Sequence, residues 1–349
     1  MKAFLILEDG TVFTGTSIGS TKSVISEIVF NTSMTGYLEV LTDPSYAGQA
    51  VVMTYPLIGN YGVTPDMESA QPWPDGYIVR ELSRIPSNFR CQGTIQDFLK
   101  EHDIPGIAGI DTRALTKILR EKGTINGMIT TDENYKLDEI LPQLHVYNTG
   151  NVVDKVTCSE KKVLKADGYK VALLDFGAKN NIAQSLHKRG CEVTIYPAHT
   201  TAEEILSSDP DGIMLSNGPG DPKACTDIIK EVKKLYDSEV PIFAICLGHQ
   251  LMALATGADT YKLKYGHRGG NHPVKDLETG RVYISSQNHG YAVDADSLDQ
   301  TIAVPAFTNV NDGTNEGLKY TGKNIFTVQF HPEACPGTQD SGYLFDKFI

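Results

Sequence analysis

Cys246 lies where an apolar run gives way to a glycine-containing segment. The run Ile242–Ile245 is typical of a buried strand, and Gly248–Thr256 has the pattern of a helix that stops at Gly257. This strand–turn–helix setting is that of a nucleophile elbow, in which a tight turn holds the thiol above the sheet. The helix N-terminus favours thiolate over thiol and supplies N–H donors for an oxyanion. The segment therefore predicts a nucleophilic thiol, although a buried structural cysteine is the commoner case.

A histidine and a glutamate follow a second apolar run. Phe326–Phe330 has the pattern of a strand, and His331, Pro332 and Glu333 come directly after it. A cysteine nucleophile needs a base, and the base needs an acceptor that orients its ring. Residues two apart at the end of a strand can face the same way, and proline stiffens the link between them. We therefore predict His331 as the base and Glu333 as its orienting carboxylate.

Two further segments follow predicted strands. Ser216–Pro222 contains two glycines and two prolines, but no Gly-Lys-Ser/Thr follows, and Lys223 replaces the third glycine of a dinucleotide fingerprint. Its glycines would instead let backbone N–H groups approach a substrate, as an oxyanion hole requires. Gln287–Tyr291, after the run Val282–Ser286, suits recognition of a small polar substrate. Spacing alone assigns no individual role within it.

The elements that must position these residues differ between the two halves of the chain. In the first half, Ala3–Glu8 and Thr11–Gly15 flank Asp9-Gly10 as a predicted β-hairpin. Further predicted elements of this half are strands at 27–30, 50–54 and 77–79 and one capped helix at 113–121. Strands come in clusters with few helices between them, so we predict a mixed, largely β domain over residues 1–150.

The second half has a different pattern. From Val171 onward apolar strand-like runs alternate with helical segments, which is typical of βαβ units and a mainly parallel sheet. Ligands of such sheets bind beyond the carboxyl ends of the strands, where the four segments described above lie. We predict an α/β domain over residues 169–349, joined to the first by a polar, lysine-rich linker at 151–168.

Composition excludes several classes of function. The formal net charge of -12 argues against nucleic acid or an anionic membrane as the main partner, because both need basic surfaces. The first residues form no signal peptide and no apolar stretch is long enough to span a bilayer, so we expect a cytoplasmic protein. The six cysteines are scattered without a Cys-x-x-Cys pair, which argues against a zinc knuckle. No metal site is predicted.

Taken together, these motifs resemble a known family. Ser216–Pro222, Ile245–Gln250 and His331–Glu333 resemble the signatures of class I (triad) glutamine amidotransferases. Five further segments resemble the carbamoyl-phosphate synthase small-subunit family: Phe30–Tyr37, Leu41–Tyr46, Ile110–Arg113, Gly266–Val274 and Gln287–Gly290. The resemblance covers essentially the whole chain, with the motifs in the same order.

The resemblance implies a division of labour between two subunits. This chain would hydrolyse glutamine and pass ammonia through a tunnel to a large subunit, which makes carbamoyl phosphate from bicarbonate and ATP. The N-terminal domain would mainly dock the large subunit. No cofactor is expected in this chain, whereas ATP and Mg²⁺ are expected in the large subunit.

The resemblance also implies a role for each site residue. Cys246 would be the nucleophile, His331 the base and acid, and Glu333 the orienting carboxylate. Oxyanion N–H groups and glutamine contacts would come from Gly218 and Leu247, and the remaining glutamine site from Ser45, Gly220, Gln250, Asn288, Gly290 and Tyr291. Tyr291 replaces a phenylalanine of the family pattern, which we expect to matter little because the contact is through backbone and ring.

Alternatives from other classes remain at this point. A glutaminase subunit of another pathway, or a related cysteine hydrolase, would lack the N-terminal motifs. A protein that only binds glutamine would lack Cys246, His331 or Glu333, and all three are present. The sequence does not decide between arginine and pyrimidine synthesis, and it does not indicate the oligomeric state of the complex or its allosteric effectors.

Overall fold

A computed structural model describes residues 1–334 and 337–349, which form two compact units, Met1–Thr149 and Gly150–Ile349. Cys335 therefore lies outside the described residues. No helix within the described residues combines the length and the apolar character needed to cross a bilayer.

The first unit is built around a closed β-barrel. Its strands are β1 (Lys2–Leu7), β2 (Val12–Ser17), β3 (Val24–Asn31), β4 (Gln49–Met53), β5 (Leu57–Ile58), β6 (Gly76–Val79), β7 (Glu81–Leu82), β8 (Gly106–Ala108) and β9 (Ile125–Thr130). Its helices are α1 (Tyr37–Thr42), α2 (Ile95–Glu101), α3 (Thr112–Lys122) and α4 (Leu137–Val146). The barrel order is β1-β2-β8-β6-β4-β3-β9. The prediction of a strand-rich N-terminal domain is confirmed.

In the first unit, a predicted turn and a predicted helix cap both form where the sequence places them. The β1–β2 hairpin turns at Asp9-Gly10, where Gly10 has a φ of 84° and the Leu7 N–H donates to the Thr11 carbonyl over 2.9 Å. Helix α3 begins after Asp111, whose carboxylate accepts the Ala114 N–H at 3.0 Å. This side-chain cap satisfies one of the N–H groups that a helix start leaves open.

The second unit contains a ten-stranded sheet flanked by helices. Its strands are β10 (Lys162–Leu164), β11 (Lys170–Asp175), β12 (Glu192–Pro197), β13 (Gly212–Leu215), β14 (Ile242–Ile245), β15 (Thr260–Asp276), β16 (Val282–Val293), β17 (Ala303–Asn309), β18 (Asn315–Tyr320) and β19 (Ile325–Val328). Its helices are α5 (Val153–Val156), α6 (Asn180–His187), α7 (Ala202–Ser207), α8 (Thr226–Asp237), α9 (Leu247–Ala255) and α10 (Tyr343–Phe348).

Parallel strands form the centre of this sheet. The order is β10-β12-β11-β13-β14-β19-β18-β17-β15-β16, and β12, β11, β13, β14 and β19 pair in parallel. Side chains of β13 and β14 pack alternately into apolar clusters on the two faces, with Ile213 and Ala244 on one face and Met214 and Phe243 on the other. Burial on both faces explains the continuous apolar runs of these strands. The α/β prediction is confirmed.

An antiparallel extension, β18-β17-β15-β16, follows the parallel centre on one side. We did not predict the 17-residue strand β15, because its residues do not alternate between polar and apolar. Its central segment Gly266–Gly269 is buried although it contains histidine and arginine. His267 is hydrogen-bonded to Gln287 of β16 and to Asp312 in the turn between β17 and β18, and Arg268 Nη1 donates to the Tyr265 carbonyl of the same strand. A sequence pattern does not display such partners of buried polar groups.

Candidate active site

Cys246 occupies a strained turn between β14 and α9. Its φ of 53° and ψ of -105° are rarely adopted by residues with a side chain. The Cys246 N–H donates to the Val328 carbonyl at 2.8 Å, and the Gly248 N–H donates to the Ser216 carbonyl at 3.0 Å. A Cβ on Gly248 would lie 2.5 Å from the Leu215 carbonyl oxygen. Only glycine therefore allows the helix to start so close to β13.

The thiol is held at the start of a nine-residue helix and is nearly excluded from solvent. Cys246 is 2% exposed, and its Sγ lies 3.6 Å from the Asn288 carbonyl oxygen, to which the thiol donates. A helix N-terminus presents unpaired N–H groups and a positive electrostatic potential, both of which favour negative charge nearby.

His331 and Glu333 form a buried hydrogen-bonded pair. His331 Nδ1 lies 2.6 Å from Glu333 Oε1, and both side chains have no exposed surface. Because the carboxylate accepts, Nδ1 carries the hydrogen, and the other nitrogen, Nε2, has no hydrogen-bond partner within the described residues. This tautomer leaves Nε2 with a lone pair that can take a proton from a nucleophile.

Backbone pairing brings the pair and the thiol to the same edge of the sheet. β14 and β19 are parallel neighbours, with Ile245 opposite Val328, so Cys246 and His331 both follow the carboxyl ends of adjacent strands. β16 contacts both residues. The Ser286 carbonyl accepts the His331 N–H at 2.9 Å, and the Asn288 carbonyl accepts the thiol.

A lysine that the sequence analysis missed joins this site. Lys179 Nζ lies 3.3 Å from Glu333 Oε1, and the Lys179 side chain is only 3% exposed. Burial would raise the pKa of Glu333, but the charges of His331 and Lys179 outweigh it and lower that pKa to about 2. Lys179 follows the carboxyl end of β11, so the strand-end rule that selected the other segments could also have selected this one.

The predicted oxyanion segment is a fixed loop beside α9. The Ser216 hydroxyl accepts the Phe176 N–H at 2.9 Å and donates to the Asn217 carbonyl at 2.8 Å. A Cβ on Gly218 would lie 2.3 Å from the Phe176 carbonyl oxygen and 2.7 Å from Leu247 Cδ2. The close packing therefore requires glycine at 218 and brings Gly218 and Leu247 together. Gly220 has a φ of 90°, which also favours glycine.

The predicted glutamine contacts of β16 meet helix α9. Gln250 Nε2 donates to the Tyr291 carbonyl and to Gln329 Oε1, each at 2.9 Å. Asn288, Gly290 and Tyr291 follow one another along β16, and Asn288 is in contact with the thiol. The structure therefore brings Asn288 to the thiol and Tyr291 to Gln250, whereas the roles of Gly220 and Gly290 stay predictions.

Ser45 is the predicted glutamine contact that belongs to the first unit. Within that unit it is buried, and its N–H donates to Asp43 Oδ1 at 2.9 Å. Its role in the site stays a prediction.

Comparisons with known proteins agree with both halves of the chain. The family model for class-I glutamine amidotransferase matches residues 172–349, and that for the carbamoyl-phosphate synthase small chain, CPSase domain, matches residues 5–129. Three relatives named carbamoyl phosphate synthase small chain are similar over nearly their whole length. Those of Clostridium perfringens and Listeria monocytogenes serotype 4b are 51% and 52% identical over 350 residues, covering 100% of this chain and 99% and 96% of theirs. That of Fusobacterium nucleatum is 51% identical over 349 residues, covering 99% of this chain and 96% of its own. The chain therefore belongs to the carbamoyl phosphate synthase small chain family and has a class-I glutamine amidotransferase domain.

Proposed function

We propose that this chain hydrolyses L-glutamine through a cysteine thioester and delivers the ammonia to a carbamoyl-phosphate synthase large subunit. The observation that carries the proposal is the buried His331–Glu333 pair, which follows β19, the parallel neighbour of the strand β14 that Cys246 follows. A nucleophile, a base with its lone pair available and a carboxylate that orients the base are the parts that thiol acyl transfer needs.

The first half-reaction releases ammonia. His331 Nε2 takes the proton of the Cys246 thiol, and Sγ attacks the side-chain amide carbon of glutamine. The amide oxygen becomes an oxyanion, which the N–H groups of Gly218 and Leu247 would stabilise. As the C–N bond breaks, the imidazolium returns the proton to nitrogen. Ammonia leaves, and the γ-glutamyl group remains bonded to sulfur.

The second half-reaction regenerates the enzyme. Water attacks the thioester carbon while His331 Nε2 takes a proton from it, and a second oxyanion forms at the same place. The C–S bond then breaks, the sulfur recovers a proton and glutamate leaves. The ionised Glu333 stabilises the imidazolium of both half-reactions. We infer that Lys179 in turn keeps Glu333 ionised, because its charge lowers the pKa of that carboxyl group.

Binding of glutamine would involve residues from several elements. We assign Gln250, Asn288, Gly290 and Tyr291 to the substrate, together with Gly220 and, from the first unit, Ser45. The first unit would mainly dock the large subunit, which would hold ATP and Mg²⁺. A cytoplasmic location is part of the same proposal, since the substrates of this reaction are metabolites of that compartment.

The test separates the two nitrogen sources. Cys246→Ser keeps nearly the same shape but removes the easily ionised nucleophile. In the complex with the large subunit, we expect carbamoyl phosphate synthesis from glutamine to fall by at least about 10³-fold. Synthesis from ammonium salt should persist, because free ammonia can enter the partner's site directly. The assay measures product with each nitrogen source at saturating ATP and bicarbonate.

Two controls make the result decisive. Gel filtration must show that the variant complex stays intact, and Cys191→Ser, at a buried thiol of the same domain, should leave both rates unchanged. If the ammonia-dependent rate collapses together with the glutamine-dependent rate in an intact complex, the proposed division of labour is wrong.

A further inference from the structure

Four buried side chains of the antiparallel extension converge at a point that glutamine hydrolysis does not use. Gln287 Oε1 lies 3.1 Å from His267 Nδ1 and 2.8 Å from His289 Nε2. Glu316 Oε1 lies 3.5 Å from the same His267 Nδ1. Ligand atoms of the two histidines and Glu316 all lie within 4.8 Å of one another. These residues come from β15, β16 and β18, and each is at least nine-tenths buried.

The outward-facing nitrogen of each ring already has a hydrogen-bond acceptor. His289 Nδ1 lies 2.7 Å from the Tyr291 carbonyl oxygen, which can only accept, so Nδ1 carries the hydrogen. His267 Nε2 lies 2.8 Å from the Asp312 carboxylate, which likewise accepts. When both rings are neutral, His267 Nδ1 and His289 Nε2 carry no hydrogen, and the lone pairs of both nitrogens face Gln287 Oε1. The convergence therefore brings electron-pair donors together.

Glu316 adds negative charge to the same point. It has no exposed surface, and Asn309 Nδ2 donates to its Oε1 at 3.0 Å. Its other oxygen, Oε2, has no hydrogen-bond partner within the described residues. A fully buried carboxylate with one unsatisfied oxygen is costly unless a cation is near.

Protons alone do not satisfy this arrangement. A second proton on His267, at Nδ1, could be donated to Glu316 or to Gln287 Oε1. Gln287 Oε1 would still face the bare Nε2 of His289 at 2.8 Å, so that two acceptors would be in contact. Reversing the Gln287 amide would direct its NH₂ group at the new N–H of His267 instead. Protonating both histidines would place two imidazolium rings, with centroids 5.0 Å apart, in a buried site. With both rings neutral, a reversed Gln287 amide would donate to both bare nitrogens, but the buried Glu316 carboxylate would then have no cation beside it. One cation at the centre would supply that missing charge.

We propose that His267, His289, Glu316 and Gln287 bind one divalent metal ion, for which Zn²⁺ fits the donors best. Two imidazole nitrogens and a carboxylate are typical zinc ligands, and an amide oxygen completes a set of four. The surroundings also fit. Ligating histidines usually donate their other N–H to a carboxylate or a backbone carbonyl, and Asp312 and the Tyr291 carbonyl are placed for this.

The proposed ion would be structural. Four protein ligands leave no open position for a substrate, and the ion would tie β15, β16 and β18 together. β16 also contains Asn288, whose carbonyl contacts the Cys246 thiol. This inference replaces our expectation that the chain binds no metal. That expectation rested on cysteine spacing, whereas these donors are two histidines, a glutamine and a glutamate from three different strands.

The test measures metal directly, so its outcome does not depend on the glutaminase proposal. The full chain is purified without metal-affinity chromatography, stripped with a chelator and titrated with Zn²⁺ against a chromophoric competitor. We expect one equivalent to bind per chain. Co²⁺ in its place should give the visible absorption bands of a four-coordinate site. Glu316→Gln should lower the affinity by at least about 100-fold, since even outer-shell changes cost 10–100-fold.

Matched variants identify the site. Cys246→Ala removes the thiol that could bind zinc at the catalytic centre, and His199→Asn removes an exposed histidine that pairs with Asp154. Both variants should still bind one equivalent. Loss of the equivalent in Cys246→Ala, or equal affinity in wild type and Glu316→Gln, would overturn the proposal. So would a wild-type chain that binds no Zn²⁺.

A second measurement covers the case in which Glu316→Gln does not fold. Asp312 is partly exposed and pairs with Nε2 of His267, the ring nitrogen that faces away from the proposed ion. Asp312→Asn should therefore fold and bind zinc about 10–100-fold more weakly. In the wild-type chain, chelation should lower Tm and added Zn²⁺ should restore it. A Tm that chelator and zinc leave unchanged contradicts a structural ion.

Discussion

At the scale of single residues, the cysteines differ in their surroundings. Burial, with the nearby Asp175 carboxylate, raises the pKa of Cys158 to about 12, and burial raises that of Cys225 to about 11. The pKa of Cys191 is raised by burial as well. Cys246 is also buried, but it lies at the N-terminus of α9, and it follows β14, the parallel neighbour of the strand that precedes His331. A base and a helix N-terminus favour the thiolate, which is the reactive form.

We therefore expect Cys246 to react first with a glutamine-like alkylating agent. Mass spectrometry after brief labelling should place the adduct on Cys246, and glutamine should protect it. Cys246→Ser should label slowly, at the rate of the remaining thiols. If Cys158 or Cys335 is labelled first while Cys246 stays unmodified, the assignment of the nucleophile is wrong.

The Lys179–Glu333 ion pair makes stability depend on pH. The pKa of Glu333 is lowered from 4.5 to about 2, so the pair stabilises the native state above pH 4.5, and this contribution is lost as pH falls through about 2. In Lys179→Met, one of the two positive charges that lower the pKa of Glu333 is absent, and the buried Glu333 carboxylate loses its ion pair with lysine. We expect a loss of about 3 kcal/mol in the free energy of unfolding at pH 7.

The difference should shrink progressively below pH 4.5 and be only partly lost at pH 3, because native Glu333 is protonated only as the pH falls through about 2. Urea unfolding at pH 7 and pH 3, followed by circular dichroism, measures it. Lys188→Met is the control and should change little, because this lysine is exposed; it directly follows helix α6, which Lys179 directly precedes. A pH-independent loss in Lys179→Met would mean that its role is packing rather than charge.

At the scale of elements, the start of α9 depends on close packing against β13. A methyl group at Gly248 would lie 2.5 Å from the Leu215 carbonyl oxygen and 2.7 Å from Leu215 Cβ, so the helix must move. We expect Gly248→Ala to cost at least about 1–3 kcal/mol. Labelling of Cys246 should slow by at least about tenfold, because the thiol moves with the turn.

Gly257, at the other end of the same helix, is the matched control. Its φ of 94° makes alanine unfavourable, but no atom lies within 4 Å of the position a Cβ would take. Gly257→Ala should therefore cost about 1 kcal/mol and leave labelling unchanged. Thermal unfolding and labelling rates compare the two variants. Equal effects of both on labelling would show that the contact with Leu215 does not position the thiol.

At the scale of the whole molecule, each of the two units has its own apolar core. Leu5 is fully buried in the barrel unit, and Leu173 is fully buried in the sheet unit. Separate cores allow separate local unfolding. We expect Leu5→Ala to lower the free energy of unfolding of the barrel unit by about 2–5 kcal/mol. Hydrogen exchange should then quicken within residues 1–149 and much less within 150–349.

Leu173→Ala is the reciprocal variant. Its hydrogen exchange should quicken within residues 150–349 and much less within 1–149. Exchange is measured by mass spectrometry on the intact chain under native conditions. If both variants accelerate exchange equally in the two units, the chain unfolds as one cooperative body, and the division into separate cores has no thermodynamic consequence.

The sequence alone determined the elements whose signals are local. Asp9-Gly10 determined the first hairpin, and Asp111 the start of α3, because turns and caps depend on a few neighbouring residues. The apolar runs of the parallel strands were equally visible, since burial on both faces leaves only apolar side chains. The residues that directly follow those strands, Cys246 and His331 among them, could therefore be named in advance.

Only the tertiary structure decided which distant residues meet. Lys179 lies 154 positions before Glu333 in sequence (333 − 179), and their ion pair exists because β11 and β19 end at the same edge of the sheet. The convergence of His267, His289 and Glu316 likewise requires side chains of β15, β16 and β18 to meet, although β17 lies between β18 and β15 in the sheet. Such polar contacts form where buried groups from separate elements satisfy one another, and this depends on long-range pairing that no local pattern records.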